Sequence, residues 1–173
     1  MFTDDETGSY WDHLTGEAVH GPLKGHKMDT WTLDYTTVGA AKAHYPDLTI
    51  NRPKANLLGR FMRIFHRKHI GTKGILPFFF RKTMDKVDSR LPEMTQGLGV
   101  VEGDRARFYP MKVAKQGVTE DWEGRRLKVA IGEVDKVPYA EWEDGSQPLQ
   151  IFCRWYGFYL TWKHCEVAEI QEE

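Results

Sequence analysis

Two segments in the second half of the chain constrain the fold most strongly, because each has the pattern of a β-hairpin. The stretches GVVEGDRARFY and VTEDWEGRRLKVAIGEV both carry Glu-Gly between two runs that could be strands, an arrangement typical of hairpin turns. Within the second stretch, Leu127, Val129 and Ile131 recur at every other position, which predicts a strand with one buried face. From residue 98 onward we therefore predict antiparallel strands joined by tight turns.

Short helices are predicted before and between these strands. PMKVAKQG favours a short helix between the hairpins, and TVGAAKAH favours another that Thr36 or Thr37 opens. Strands are predicted in KMDTWTLDYT and in LTI, whereas QPLQIFCRWYGFYLTWKHCEVAEI has the pattern of a strand, a short helix and a strand. We therefore predict one domain over residues 1–173, of the α+β class, with small antiparallel sheets, hairpins and a few short helices.

Residues 53–70, PKANLLGRFMRIFHRKHI, have the period of an amphipathic helix. One face carries apolar side chains at i, i+4 and i+8, namely Leu57, Phe61 and Phe65. Another face carries basic side chains at i, i+3 and i+7, namely Arg60, Arg63 and Arg67. Two interpretations fit: a helix that packs on the protein's own core, or a docking element that presents its apolar face to a partner.

The charge of the chain is concentrated around this helix. Residues 52–90 hold eleven Lys and Arg against two Asp, a net charge of +9, while the remainder holds thirteen against twenty-three, a net charge of −10. Such asymmetry predicts an anionic partner, which could be a membrane, a nucleic acid or an acidic protein. Nucleic acid is disfavoured, because most of the six tryptophans that could stack on bases lie in acidic surroundings.

The stretch TGSYWDHLTGEAVHGPLKG, residues 7–25, concentrates glycine with aromatic and imidazole side chains. Its glycine spacing fits neither of the common phosphate-binding patterns, so we interpret the glycines as turn positions with a tryptophan packed over them. A metal site from His13, His20 and His26, with Asp12 or Glu17 adding oxygen ligands, is the alternative. The residues assigned to the structural motif are Gly8, Trp11, Gly16, Gly21, Pro22 and Gly25.

Local signatures of catalysis are missing from the sequence. None of the three serines lies in a nucleophile elbow. Cys153 falls in a predicted buried strand, and Cys165 follows His164 directly, a spacing that does not bring two side chains together in a strand. Two cysteines also cannot build a disulfide framework or a four-thiolate zinc site. We therefore assign no catalytic residue, no metal and no cofactor.

The glycine-rich stretch and its flanks match a longer pattern, Tyr-Asp-x-x-Thr-Gly-Ser-x-Trp-x-x-Leu-Thr-Gly-Glu-Ala-x-x-Gly-Pro-Leu-x-Gly. The matching residues are Asp4, Thr7, Gly8, Ser9, Trp11, Leu14 to Ala18, Gly21 to Leu23 and Gly25. Similarity resumes at Asp88 to Leu91, at GDRARFYPMKV and from Phe152 to Trp162. In these motifs the chain resembles the bacterial domain-of-unknown-function 3179 family. The resemblance implies a short member without the upstream cysteine-containing half of longer relatives, and it implies no activity.

Together these patterns lead to one functional hypothesis. We expect a non-enzymatic interaction domain, an accessory or stabilising subunit that docks on a membrane-embedded protein complex, for example a respiratory or photosynthetic one, or on an anionic membrane surface. The contact would use a basic amphipathic insertion at about residues 53–82, the docking segment. The residues assigned to it are Arg60, Phe61, Arg63, Phe65, Arg67, Lys68, Phe78, Phe79, Phe80 and Arg81.

Localisation and an alternative function complete the expectations. The acidic start MFTDDETGS has no signal-peptide pattern. This predicts peripheral association on the cytoplasmic side of a membrane, or on the periplasmic side if a leader was removed. The alternative function is a small-molecule or metal-binding protein, which could be an enzyme, that uses the glycine-rich motif with Trp11, His13 and His20.

Overall fold

The computed structural model describes residues 1–29, 35–51, 57–61, 64, 78–132 and 136–169. The chain divides into two compact units, Met1–Asp34 and Tyr35–Glu173. In the first unit, three short strands pair antiparallel in chain order. These strands are β1 (Phe2–Thr3), β2 (Tyr10–Trp11) and β3 (Ala18–His20).

The second unit contains the remaining strands and the short helices. Its helices include α1 (Val38–His44), α2 (Phe78–Thr83), α3 (Met111–Gln116) and α4 (Trp155–Thr161), and residues 57–61 and 64 are helical as well. Its strands are β4 (Gln96–Glu102), β5 (Arg105–Pro110), β6 (Val118–Trp122), β7 (Arg125–Ile131), β8 (Pro138–Trp142), β9 (Leu149–Arg154) and β10 (Glu166–Val167).

These strands form two sheets. One has the order β10-β5-β4-β9, and the other has the order β6-β7-β8. All pairings are antiparallel except that of β10 with β5, where Glu166 lies opposite Arg107 in parallel register. Small antiparallel sheets with short helices confirm the predicted α+β class.

Strand β4 lies at the centre of the core because both of its faces are covered. Leu98 and Val100 point to one side, where they pack with the β6-β7-β8 sheet and α3. On the other side, Val101 packs with Phe108 of β5 and with Phe158 of α4. A central strand covered on both faces is a continuous buried run, and residues 97–101 of β4 are all buried.

Most of the predicted local elements are present. Both hairpins form, with Gly103 and Gly124 at positive φ in their turns. Helix α1 begins after Thr37, whose Oγ1 accepts a hydrogen bond from the Ala40 amide at 3.1 Å. The predicted strand in LTI is wrong: residues 48–50 are exposed and belong to no strand. The strand predicted in KMDTWTLDYT falls largely on residues 30–34, which lie outside the described residues.

Candidate functional site

The glycine-rich motif begins with a turn organised by one carboxylate. Asp4 Oδ1 accepts hydrogen bonds from the backbone amides of Glu6 at 3.0 Å and Thr7 at 2.7 Å. Its Oδ2 accepts from Thr7 Oγ1 at 2.5 Å and from Trp11 Nε1 at 3.2 Å. These donors favour the charged form, so they lower the pKa of Asp4 from 3.8 to about 2, with the Thr7 hydroxyl as the largest cause.

The same turn occurs a second time, eight residues later. Asp-x-x-Thr-Gly stands at residues 4–8 and again at residues 12–16. In both copies the aspartate Oδ1 accepts from the amides two and three residues on, and the glycine amide donates to the aspartate carbonyl oxygen, at 3.0 Å for Gly8 and 2.9 Å for Gly16. Both glycines have positive φ, 67° and 70°, a conformation that costs glycine little. The sheet of the first unit is thus a meander built from one turn used twice.

Ser9 ties the first turn to the loop that contains Gly21. Its side chain is fully buried, and its Oγ lies 2.7 Å from Thr7 Oγ1 and accepts from the Leu23 amide at 3.2 Å. Because the Thr7 hydroxyl donates to Asp4, the Ser9 hydroxyl donates to Thr7. A Cβ at Gly21 would lie 2.7 Å from Ser9 Cα, so the close approach of these loops requires glycine. The Ser9 hydroxyl is therefore committed to internal contacts.

Trp11 packs over the same turns. Its side chain is buried, its Nε1 donates to Asp4, and its ring stacks on Phe2 with centroids 6.5 Å apart. The indole therefore closes the small core of this unit and presents no open face for a ligand. Of the other residues assigned to the motif, Gly16, Gly21 and Gly25 all have positive φ, and Pro22 follows Gly21 in the loop.

The histidines considered as metal ligands make separate contacts. His13 Nδ1 lies 3.1 Å from the amino terminus of Met1, and the His20 ring lies 5.7 Å from that of Tyr10. His26 is exposed. Among the residues that the structure describes, no group of three or more His, Cys, Asp or Glu side chains is arranged to hold a metal ion. The geometry therefore offers no support for a metal site in this motif.

Neither thiol is activated. Cys153 lies in β9 and is half-buried, and burial raises its pKa to about 12. Cys165 is buried in the core beside α4, and burial again raises its pKa above the ordinary value, although Arg90 acts in the opposite direction. Since the thiolate is the nucleophilic form, these surroundings suit packing rather than covalent catalysis.

A polar network that the sequence analysis missed connects three strands of the second unit. The Glu120 carboxylate of β6 accepts from Tyr109 Oη and Trp122 Nε1, and from Arg107 Nη1 at 2.5 Å. Arg107 also pairs with Glu166 and thereby fastens β10 to β5. Burial is the main cause that raises the pKa of Tyr109 well above its ordinary value, and the bond to Glu120 adds to the shift. Arg107 and Tyr109 stand two residues apart in the predicted strand of GDRARFY, and this spacing, which places both on one strand face, could have pointed to the cluster.

In a surface cleft of the second unit, one of the lining cations is likewise paired within the fold. Arg125 lies over the ring of Trp142, with its guanidinium carbon 4.1 Å from the ring centroid. The same guanidinium pairs with Glu102 at 2.8 Å and contacts Asp144. Within the cleft lined by Gly124, Arg125, Arg126, Trp142, Glu143 and Asp144, the Arg125 guanidinium is therefore already paired with groups of the fold itself.

The docking segment contains several strongly exposed large apolar side chains, among them Leu57, whose exposed fraction is the highest of those in the described chain. Residues 57–61 and 64 are helical, and four of them leave most of their side-chain surface in solvent. We call this set the apolar stripe: Leu57 at 87% exposure, Leu58 at 70%, Phe61 at 66% and Ile64 at 66%. At positions i, i+1, i+4 and i+7 they share one helix face. Ile64, which the sequence analysis did not assign, belongs to this face by its spacing from Leu57.

The other residues assigned to the docking segment divide into two groups. Arg60 is exposed, and Arg81, in α2, is exposed and pairs with Glu93. Phe78, Phe79 and Phe80 form the first half of α2. Arg63, Phe65, Arg67 and Lys68 lie outside the described residues, as do the side chains of the three phenylalanines. The assignment of these residues to a docking surface stays a prediction.

None of the helices within the described ranges combines the length and hydropathy needed to cross a bilayer.

Comparison with known proteins gives one family assignment. The model of a family described as "Protein of unknown function (DUF3179)" matches residues 1–152 of the 173-residue chain. This range contains the glycine-rich motif, the docking segment and both hairpins. No curated protein matches the chain, and no solved structure matches it.

Proposed function

The chain belongs to the DUF3179 family of proteins of unknown function, and we propose that it is a non-enzymatic interaction domain that docks on a membrane-embedded protein complex. It would act there as an accessory or stabilising subunit, and residues 53–82 would form the contact. The observation that carries this proposal is the exposure of the apolar stripe.

The energetics of the stripe favour a partner. Burying one Leu, Ile or Phe side chain contributes about 1.5–3 kcal/mol, and the stripe leaves four such side chains largely in water. Contiguous exposed apolar surface on a protein commonly marks a site of protein or membrane contact. A helix that packed its apolar face on the protein's own core would hide these residues. This exposure therefore favours the docking interpretation over the core-packing one.

The charge of the segment indicates what kind of surface the partner presents. Residues 52–90 carry a net charge of +9 in a chain of net charge −1. Basic side chains near an anionic leaflet contribute about 1 kcal/mol each, and the same side chains can pair with acidic loops of a membrane protein. A membrane-embedded complex offers both kinds of contact together.

The state of the possible catalytic groups supports a non-enzymatic role. Ser9 is buried and hydrogen-bonded, and Cys165 is buried with a raised pKa. The carboxylate of Glu120 accepts three hydrogen bonds from its own fold. The polar groups that an enzyme would direct at a substrate here stabilise turns and strand pairing instead.

Fractionation of cells that express the protein tests the proposal. We expect the protein to sediment with membranes, to be partly released by high salt, and to be fully released only when detergent is added. Co-purification after mild detergent extraction would then yield the complex. Recovery of the protein wholly in the supernatant at low salt would contradict the proposal.

A further inference from the structure

We propose that the apolar stripe inserts directly into the lipid–water interface of an anionic bilayer, so that phospholipid itself is a binding partner of this protein. This inference rests on the proposed function and names the chemistry of the first contact. The stripe would meet acyl chains, and the basic side chains around it would meet lipid phosphates.

The shape of the stripe fits an interface better than a pocket. Leu57, Phe61 and Ile64 follow one line along the helix, and Leu58 widens that line on one side. A helix lying in the plane of a membrane buries such a face about 5–10 Å into the boundary between headgroups and acyl chains. Because the side chains are already exposed, insertion requires no unfolding of the core.

The charge pattern favours lipid over a protein partner. From residue 48 to residue 84 the chain has nine Lys and Arg and no Asp or Glu. A segment whose charges are all positive suits a diffuse anionic surface, because each basic side chain can meet a lipid phosphate in any position of the segment on that surface. Docking on an acidic protein fixes register by matching a positive patch to individually placed negative charges, whereas a lipid surface requires no such match.

The neighbouring chain extends the accessible surface. Every described residue from Lys42 to Ile64 is exposed. Tyr45, Leu48 and Ile50 are among the exposed large apolar side chains of this stretch, and tyrosine is enriched where a protein meets the headgroup region. Exposed apolar side chains of the described chain are therefore not confined to the stripe.

Flotation with protein-free vesicles tests the inference. Full-length protein is mixed with vesicles of phosphatidylcholine alone or with a third of phosphatidylglycerol, and the bound fraction is measured at low and high salt. We expect binding to the anionic vesicles, little binding to the zwitterionic ones, and a steep decrease with salt.

Substitutions within the stripe and matched controls locate the contact. Phe61→Ser combined with Ile64→Ser should weaken binding by about thirty-fold or more, because two apolar side chains no longer leave water. Arg60→Gln should weaken it about five-fold. The controls are Val19→Ser, which changes an exposed apolar residue of β3, and Lys112→Gln, which removes an exposed charge from α3; both should bind like the parent. Circular dichroism melts establish that each variant is folded.

The outcomes separate this inference from the proposed function. Binding to native membranes without binding to anionic vesicles would overturn the inference and leave a protein complex as the partner. Equal binding to both kinds of vesicle, or anionic binding that the stripe variants leave unchanged, would also overturn it. Failure to bind either native membranes or vesicles would contradict both proposals.

Discussion

Asp4 shows how much of the first unit depends on one carboxylate. Its carboxylate accepts hydrogen bonds from two backbone amides, one hydroxyl and one indole N–H. Through Thr7 it also orients the hydroxyl of Ser9. Each of these groups would otherwise need another partner when the turn closes. Asp4, Thr7 and Trp11 of the motif therefore each contribute to the folding of this unit.

The lowered pKa of Asp4 predicts a pH dependence of stability. Because the pKa in the folded protein is about 2 against an ordinary value of 3.8, the stabilisation is complete above pH 4 and is lost as the pH falls from about 4 towards 2. Asp4→Asn should therefore be less stable than the parent at pH 6, and the difference should shrink as the pH approaches 2. Urea denaturation at several pH values measures it. A difference that does not change with pH would contradict this account.

Alanine substitutions at two glycines of the second unit should change stability in opposite directions. A Cβ on Gly99 of β4 would lie 2.0 Å from the Phe158 ring, whereas a Cβ on Gly157 of α4 would meet nothing within 4 Å. Gly99→Ala should destabilise the protein by about 1–3 kcal/mol through overpacking. Gly157→Ala should stabilise it by up to about 1 kcal/mol, because alanine is the better helix former. Denaturant melts of both variants measure these effects, and equal shifts of the same sign would refute the packing described here.

The two thiols should be unreactive while the protein is folded. Burial raises the pKa of Cys153 to about 12 and raises that of Cys165 as well, so at pH 8 neither side chain forms much thiolate. Titration with a chromogenic disulfide should detect far less than one thiol per chain without denaturant and both thiols in guanidinium. Rapid reaction of one cysteine in the folded protein would reopen the case for a catalytic thiol.

At the scale of elements, local signals predicted more than long-range pairing did. The Glu-Gly turns, the Thr37 cap and the sequence PMKVAKQG act within a few residues, and they predicted the hairpins, α1 and α3 correctly. The strand predicted in LTI failed because a strand needs a neighbour to pair with, and the described residues place none beside it. The parallel pairing of β10 with β5 depends on contacts across some sixty positions, which no local pattern reports.

In the candidate sites, too, local features could be predicted from the sequence and long-range contacts could not. The repeated Asp-x-x-Thr-Gly turn is visible in the sequence once a spacing of eight residues is sought. The burial of Ser9 and the contact of Gly99 with Phe158 are not visible there, since each depends on a distant loop or helix. The period of residues 53–70 predicted a shared apolar face, but only the structure supplied the exposure of Leu57 and its neighbours.

The Gln150 side chain adds a further link between the two sheets of the second unit. The Gln150 amide of β9 accepts from the Ala140 amide of β8 at 2.7 Å and donates to the Ala140 carbonyl oxygen at 3.1 Å. The Gln150 side chain thus makes the two hydrogen bonds to Ala140, a buried residue, that a neighbouring strand would otherwise make. The two sheets are therefore held together by hydrogen bonds as well as by apolar contact.

Removing this side chain should be costly. Gln150→Ala leaves the Ala140 amide and carbonyl without partners, so we expect a loss of about 1–3 kcal/mol in the free energy of unfolding. Gln147→Ala, at an exposed position two residues before β9, is the control and should change stability by less than about 0.5 kcal/mol. Urea denaturation of both variants compares them directly. A Gln150→Ala variant as stable as the control would show that this contact contributes nothing.

At the scale of the whole molecule, the polar groups and the exposed apolar surface differ in what they contact. In the described chain, the polar groups of the motif, the thiols and the Glu120 network all serve the fold. The apolar stripe belongs to neither of the two core clusters. It lies within a stretch of sequence whose charged residues are all basic. These contrasts support our proposal that this surface carries the function.

The most direct test of this account is the binding of a charge-reversed variant to native membranes. Arg60, Arg63 and Arg67 are replaced together by glutamate, which changes the charge of the segment by six units while the apolar residues stay as they are. The account predicts that the variant melts like the parent but is found mainly in the supernatant when membranes are sedimented at low salt, whereas the parent is found mainly in the pellet. A folded triple variant that sediments with membranes as completely as the parent would contradict the docking proposal.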